Sequence, residues 1–391
     1  MPEKTNAVGG ALRTPPDYRQ VTLEHISGAA PAPTLTSIHI DDSKLPDFFQ
    51  RTIGACQNHA YAEILTHREQ RLNPNTTFVA SPRFTYTMSK IEDGVGIENQ
   101  GTYAVQPFKE GVKYGCCSEA TLANDTTLPY LAYIFNGSVQ GVPQACFTEA
   151  DLHRIPGYVQ VGSEDNVTAA QLVQALQDPD GQDGIAIMMA LGAEWYTDAN
   201  GNGSWAKGKI IPIRKVVTAI DDHIVRCNGI EQEAGTGRWK VFFRNHWSKN
   251  WASTSGIEGG TQPQDLDGDI GWFYLDQHVI VEAWIVREIP DALLAIIKSL
   301  PNQKDFSHVW STNLNVGATG ADVQALQIAL KIAGTFPFNQ PVTTYYGQIT
   351  ATAVMAFQTK YAVASAASIL AAGGNMGEMT RAALNKMFSH Q

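Results

Sequence analysis

A cysteine at the head of a helical pattern, and a histidine and an asparagine on strand-like runs far downstream, set the strongest constraint on how this chain folds. Cys56 opens a run to about Leu72 with apolar Ala60, Tyr61, Ile64, Leu65 and Leu72 at roughly helical spacing. In Asp222 to Ile230, the residues His223, Val225 and Cys227 fall on one side of a strand. In Arg238 to Trp247, the residues Trp239, Val241, Phe243 and Asn245 share a side, with Lys240 and Arg244 on the other. The Gly235-Thr236-Gly237 turn can join the two runs as a hairpin, bringing His223 and Asn245 to one sheet end. A chain that uses all three residues together must bring a helix N-terminus from its first half to that sheet end.

The chemistry behind the order is direct. A thiol is a poor nucleophile until deprotonated, and a helix N-terminus and a nearby imidazolium both favour the thiolate. Cys56 opens the helix pattern, with Gly54 just before it for a tight turn. A histidine can take the thiol proton, an asparagine can orient the imidazole, and Gln50, six residues ahead of the cysteine, can donate to an oxyanion. Other histidines are weaker candidates. His59 lies one helical turn after Cys56 and is expected to pack or face solvent, and His246, opposite Asn245 on its strand, is expected at the surface or in a loop.

Bulk properties exclude several classes. With 391 residues the chain needs two or three domains, and 43% hydrophobic and 17% charged residues are those of a soluble globular protein. A formal charge of −10 without a basic stripe argues against a nucleic-acid partner. The most apolar run, Gly184 to Gly192, is too short to span a bilayer and reads as a buried strand. The opening Met1-Pro2-Glu3-Lys4-Thr5-Asn6 has no secretory apolar stretch, so a cytoplasmic location, or export to the envelope by a non-standard route, is expected. The five cysteines, Cys56, Cys116, Cys117, Cys146 and Cys227, show no C-x-x-C spacing. Their odd number leaves at least one free thiol; two bridges or five thiols both fit. No cofactor or metal is expected. Asp198-Ala199-Asn200-Gly201-Asn202-Gly203 imitates the start of a calcium loop, but its twelfth position would be Lys209, and a glycine-rich turn is expected there. Asp265-Leu266-Asp267-Gly268-Asp269 is read the same way.

Four segments follow along the chain. Residues 1–35, with Pro2, Pro15, Pro16, Pro31 and Pro33, form an extended leader expected near the cleft or bracing the second half-domain. Residues 36–287 form an α+β domain, which includes a helix from Val167 to Leu176 capped by Thr168. Residues 288–312 form a linker with a short helix at Asp291 to Leu300. Residues 313–391 contain an internal repeat, in which Gly347 to Phe357 and Gly377 to Met387 both read G-x-x-T-x-x-A-apolar-x-x-apolar. Each glycine is expected to turn with positive φ and each threonine to cap a helix. A preceding helix, capped by Gly320-Ala321-Asp322, carries Val323, Leu326, Leu330 and Ile332, giving a small bundle of three helices.

Gln50 to Ala62, Asp222-His223 and Asn245-His246-Trp247 resemble the three signature regions of papain-like cysteine peptidases, especially the bacterial ones. Ser81 to Tyr86, Glu110 to Cys117 and Asp269 to Leu275 are similar to further family segments, so the likeness spans roughly 36–287. It implies a two-lobed α+β fold, a helical lobe beside an antiparallel β lobe. It implies that Cys56 attacks the scissile carbonyl, His223 shuttles the proton, Asn245 orients the imidazole, and Gln50 with the Cys56 N–H holds the oxyanion. Gly101, Thr102, Asp222 and Trp247 would line the substrate cleft, with Trp247 shielding the Asn–His contact. The chain departs from the pattern at Gln57, where the family usually has tryptophan, and at His246 and Ser248 in place of the usual Asn-Ser-Trp-Gly. Ile53 stands where the family carries a half-cystine, and Gln100-Gly101-Thr102 keeps one glycine of the substrate-lining stretch.

Leu314 to Gln327, with the two G-x-x-T helices, resembles the bacterial three-helix peptidoglycan-binding domain. Thr344, Tyr345, Tyr346 and Gln348 are its candidate wall contacts. The expectation is a cysteine peptidase acting on protein or peptide substrates and held at the cell wall through its C-terminal domain. Alternatives are a hydrolase of peptidoglycan stem peptides and an inactive wall-binding adaptor.

Overall fold

The computed structural model describes residues 11–14, 21–27, 35–50, 53–162, 167–191, 221–246, 270–277, 280–291, 293–295, 301, 305–337 and 340–389. The chain divides into two compact units, Thr22–Glu288 with Met1–Pro15, and Ile289–Gln391 with Pro16–Val21. Trp247, both acidic loops and most of the Asp291 to Leu300 helix lie outside the described residues. Among the described residues, no helix is long and apolar enough to cross a membrane.

The first unit begins with strand β1 (Ala11–Leu12), helix α1 (Leu23–Ser27) and strand β2 (Ser37–His39). Its helical part holds α2 (Cys56–Leu72), α3 (Pro82–Glu92), strand β3 (Thr102–Tyr103), α4 (Gln106–Lys113), α5 (Tyr130–Tyr133) and α6 (Gln144–Ala150). Strand β4 (Tyr158–Gln160) and helix α7 (Ala169–Gln177) lead into β5 (Ile185–Leu191), β6 (Asp221–Gln232), β7 (Trp239–Arg244), β8 (Ile270–Tyr274) and β9 (Ile280–Val286). These strands make a seven-stranded sheet in the order β4-β9-β5-β6-β7-β8, every described pair antiparallel. Gly229 of β6 faces Phe242 of β7 and His39 of β2, so β2 continues the sheet on the β5 side of β6.

Local chemistry accounts for several of these boundaries. Ser81 caps α3 by accepting from the Phe84 N–H, with Pro82 in the first turn where its missing N–H costs nothing. Thr168 and Gln171 form a reciprocal capping box at the start of α7. Gly235 and Gly237 adopt φ of +89° and +69° in the turn between β6 and β7, a region that L side chains enter at a cost. The apolar run from Ile185 becomes β5, flanked by β6 and β9 and buried on both faces. One core joins helices and sheet, packing Tyr61, Leu65, Phe84 and Phe108 with Met188, Ile224 and Trp284. The helix that begins at Cys56 thus rests on the sheet that carries His223. The α+β architecture agrees with the sequence reading.

The second unit contains α8 (Ala321–Ile332), α9 (Gln348–Lys360), α10 (Ala366–Ala372) and α11 (Glu378–Phe388) around Trp310, Leu326, Leu330, Val354, Phe357 and Leu384. The short α10 joins the three expected helices. Two details of the repeat differ from expectation. Gly347 and Gly377 have φ of −92° and −80°, ordinary extended backbone rather than the left-handed region. Thr350 and Thr380 cap nothing. Each lies inside its helix and accepts a hydrogen bond from a buried glutamine of an earlier helix, Gln327 to Thr350 at 2.9 Å and Gln358 to Thr380 at 2.7 Å. The repeat is therefore a tertiary contact, in which each threonine hydroxyl is held by a glutamine of an earlier helix.

Candidate active site

Cys56 is the first residue of α2, reached through Ala55, which has no side-chain cap. The N-terminal amides of such a helix carry the positive end of its dipole. The buried Cys56 thiol donates to Oε1 of Gln57 at 3.2 Å, so the residue in the usual tryptophan position holds the thiol proton at rest. All five cysteines are thiols. Burial pushes Cys116, Cys117 and Cys146 up, and Cys227 up to about 12, which keeps those four protonated and unreactive.

The β6–β7 hairpin brings together the candidate base His223 and its candidate orienter Asn245. Arg226 pairs with Arg244 in the ladder, and Asn245 follows directly. His223 Nε2–H donates to Asn245 Oδ1 at 2.8 Å, and the same oxygen accepts the main-chain N–H of His246 at 2.9 Å. The second bond fixes which end of the amide is the oxygen, and so places the histidine proton on Nε2. Nδ1 is then the basic nitrogen. Burial lowers His223 to about 3, against the Asn245 hydrogen bond and helped by His246 and His59, so the imidazole is neutral at rest.

Gln50 is fully buried. Its side-chain amide donates to the Ile53 carbonyl at 3.1 Å, and its main-chain N–H donates to the His246 carbonyl at 2.9 Å. The glutamine is thereby tied both to the turn before Cys56 and to the segment holding Asn245. Gly54, between them, donates its N–H to Gln100 Oε1 at 2.7 Å, and a side chain on Gly54 would meet Gln100 and the Gly101 nitrogen at 3.1 Å.

Gly101 sits at φ +89°. Its N–H donates to the Tyr86 hydroxyl at 3.0 Å, and its carbonyl accepts from Lys90 Nζ at 2.8 Å, with the lysine paired to buried Asp93 at 3.0 Å. Thr102 is buried on β3. There the leader meets the site, because β1 runs parallel along β3 with Ala11 opposite Thr102 and Leu12 opposite Tyr103. Arg13 Nε then lies 3.5 Å from Asp222 Oδ2, the carboxylate beside His223, and the Thr14 N–H donates to Glu282 Oε1 at 2.6 Å. The leader crosses from β3, which carries Thr102, to Asp222 at the start of β6.

His246 is a correction. Expected at the surface or in a loop, it does lie in a bend after β7, but it is fully buried, with its ring against Glu63 and His59 of α2. Its Nε2 is 3.3 Å from Glu63 Oε2, and its ring centroid is 5.7 Å from that of His59. His59 packs as expected, its Nδ1–H donating to the Ala55 carbonyl at 2.8 Å and its Nε2 accepting from Asn124 at 3.2 Å. Around this pair lies a buried charged cluster that periodicity did not reveal: Glu63, Arg244, Arg226 and Asp42. The alternation Arg244-x-His246 was its one local signal.

In the second unit, Tyr346 is a further correction. It was a candidate wall contact, but it is buried and its hydroxyl donates to the Gly374 carbonyl at 2.6 Å. Thr344, Tyr345 and Gln348 are exposed.

The family model described as "Putative peptidoglycan binding domain" matches residues 319–364. No curated protein sequence matches the chain significantly. Among solved structures, xylellain, a cysteine protease from Xylella fastidiosa, is similar with TM-score 0.52 and 17% identity over 74% of this chain and 99% of that one. The digestive procathepsin L2 of Tenebrio molitor larval midgut gives TM-score 0.46 and 15% identity, covering 73% and 80% of the two chains. The first unit of this chain has the papain-like cysteine-peptidase fold, and the second carries a peptidoglycan-binding-type helical domain.

Proposed function

We propose that this chain is a cysteine peptidase in which Cys56, His223, Asn245 and Gln50 hydrolyse a peptide bond, and that its C-terminal unit holds it on peptidoglycan. The observation that carries the reading is the 2.8 Å hydrogen bond from His223 Nε2 to Asn245 Oδ1, in a fold that puts a cysteine at the first position of α2. His223 Nδ1 takes the thiol proton, and the Cys56 thiolate attacks the scissile carbonyl carbon. The oxyanion is held by the Cys56 N–H and the Gln50 amide. The imidazolium gives its proton to the leaving amine as the C–N bond breaks, leaving an acyl-thioester. Water, deprotonated by His223, attacks that thioester, and the thiol leaves with the proton restored.

The alternative substrate is the stem peptide of peptidoglycan itself, favoured by the match at residues 319–364. Two experiments test these readings. An epoxide inhibitor of papain-like enzymes should form one adduct, on Cys56, and block cleavage of a peptide library; folded protein without that adduct would sink the peptidase reading. Release of free amino groups from purified sacculi would move the stem-peptide alternative ahead.

A further inference from the structure

His246 holds two parts of the site through its main chain. Its N–H donates to Asn245 Oδ1 at 2.9 Å, and its carbonyl accepts the Gln50 N–H at 2.9 Å. The orienter of the base and the oxyanion glutamine therefore hang on one residue. What fixes that residue is its side chain, which points onto α2 rather than into solvent.

The contact on α2 is Glu63, about two turns beyond Cys56 on the same rigid helix. Both side chains are fully buried, with His246 Nε2 at 3.3 Å from Glu63 Oε2. Glu63 Oε1 lies 3.5 Å from Arg244 Nε. Arg244 also approaches Asp47 at 3.7 Å, while its cross-strand neighbour Arg226 is met by both oxygens of Asp42, at 2.8 and 2.7 Å. Neither ring nitrogen of His246 and neither oxygen of Glu63 has a well-aligned hydrogen bond, although polar atoms this deeply buried are normally satisfied. A purely structural role would be served as well by an apolar pair of the same volume, without the desolvation cost. The polar pair lies where α2, which begins at Cys56, meets the segment that follows β7.

We infer that Glu63 and His246 are a positioning pair, which locks the His246 peptide, and through it Asn245 and Gln50, in register with the N-terminus of α2. This rests on the cysteine-peptidase reading. Burial raises Glu63 to about 7 against the pull of Arg244 and Arg226. Burial and the same two arginines lower His246 to about 3. The imidazole is therefore neutral, and the two side chains meet as a polar contact at 3.3 Å rather than as an ion pair. A neutral donor of the same shape at position 63 can take over that link.

The test compares Glu63→Ala, His246→Ala, the double variant and Glu63→Gln on a fluorogenic peptide, with circular dichroism and melting curves to establish folding. The expected result is a tenfold or larger fall in kcat for each alanine variant, with KM within threefold of wild type. The double variant should be no worse than the worse single, and Glu63→Gln should recover most of the loss. Additive losses, a change confined to KM, or wild-type kcat in folded His246→Ala would overturn the inference. His246→Ala removes no charge, so it decides the matter if Glu63→Ala does not fold. A wild type with no activity dependent on Cys56 would overturn the peptidase reading and this pair together. Active wild type with unaffected variants would overturn the pair alone.

Discussion

The main-chain N–H of Gln50 donates to the carbonyl of His246 at 2.9 Å, joining the turn before Cys56 to the segment after β7. Residues remote in sequence thus hold the proposed oxyanion donor Gln50 and the proposed base orienter Asn245 at a fixed separation. Catalysis of this kind depends on such preorganisation, because donors must already be in place when charge develops on the carbonyl oxygen.

Loss of either end should therefore register in kcat. Gln50→Ala and Asn245→Ala are each expected to lower kcat by roughly a hundredfold, the usual cost of an oxyanion donor or orienting group. Cys56→Ala should abolish turnover. Steady-state kinetics on one peptide checks all three; an unchanged kcat in Asn245→Ala would remove the asparagine from the mechanism.

Acid should unfold the first unit early. His59, His223 and His246 are each lowered to about 3 in the folded chain, chiefly by burial, against an ordinary value of 6.5. The unfolded chain then binds more protons between these values. Stability contributed by the neutral histidines is complete above about pH 6.5 and lost as pH falls towards 3, up to about 5 kcal/mol per histidine. Glu63 runs the other way, since its value of about 7 lies above the ordinary 4.5 and takes stability away as pH rises between the two. Melting temperatures should rise from pH 4 to about pH 6.5, less steeply above pH 4.5 where Glu63 opposes the histidines, and dip slightly between pH 6.5 and 7. In Glu63→Gln the rise above pH 4.5 should be steeper and the dip absent.

The leader should behave as part of the fold. With β1 paired to β3, Arg13 beside Asp222 and Thr14 bonded to Glu282, deleting residues 1–14 removes buried main-chain hydrogen bonds and leaves Glu282 without that partner. A loss on the order of 1 to 3 kcal/mol is expected. KM for peptides should also change, because the edge beside Thr102 is opened. A truncated chain with unchanged melting temperature and KM would contradict this.

The two adjacent tyrosines of the second unit should separate cleanly. Tyr345 is 55% exposed, and Tyr345→Ala is expected to weaken cosedimentation with purified sacculi while leaving the melting curve in place. Tyr346→Phe removes only the hydroxyl bonded to Gly374, costing about 1 kcal/mol of stability with sacculus binding unchanged. The opposite pattern would move the wall-contact site away from Tyr345.

What the amino-acid order determined alone was local. The helix from Cys56 to Leu72, the Thr168 cap, the β6–β7 hairpin and the helix from Ala321 to Ile332 follow from capping residues, turn glycines and apolar period, each acting over a few residues. The candidate set Gln50, Cys56, His223 and Asn245 was legible in the same way, because residue type and order carry the proposed chemistry. Tertiary structure decided which polar side chains are covered. His246 reads as a surface or loop residue and Tyr346 as a wall contact, but the first packs against Glu63 of α2 and the second is buried against Gly374. Thr350 and Thr380 look like caps, but their partners are glutamines of neighbouring helices. The pairing of β1 with β3, and the insertion of β9 between β4 and β5, are equally non-local. Burial of a polar group is a property of whatever packs against it, and in this chain the covering element is remote in sequence.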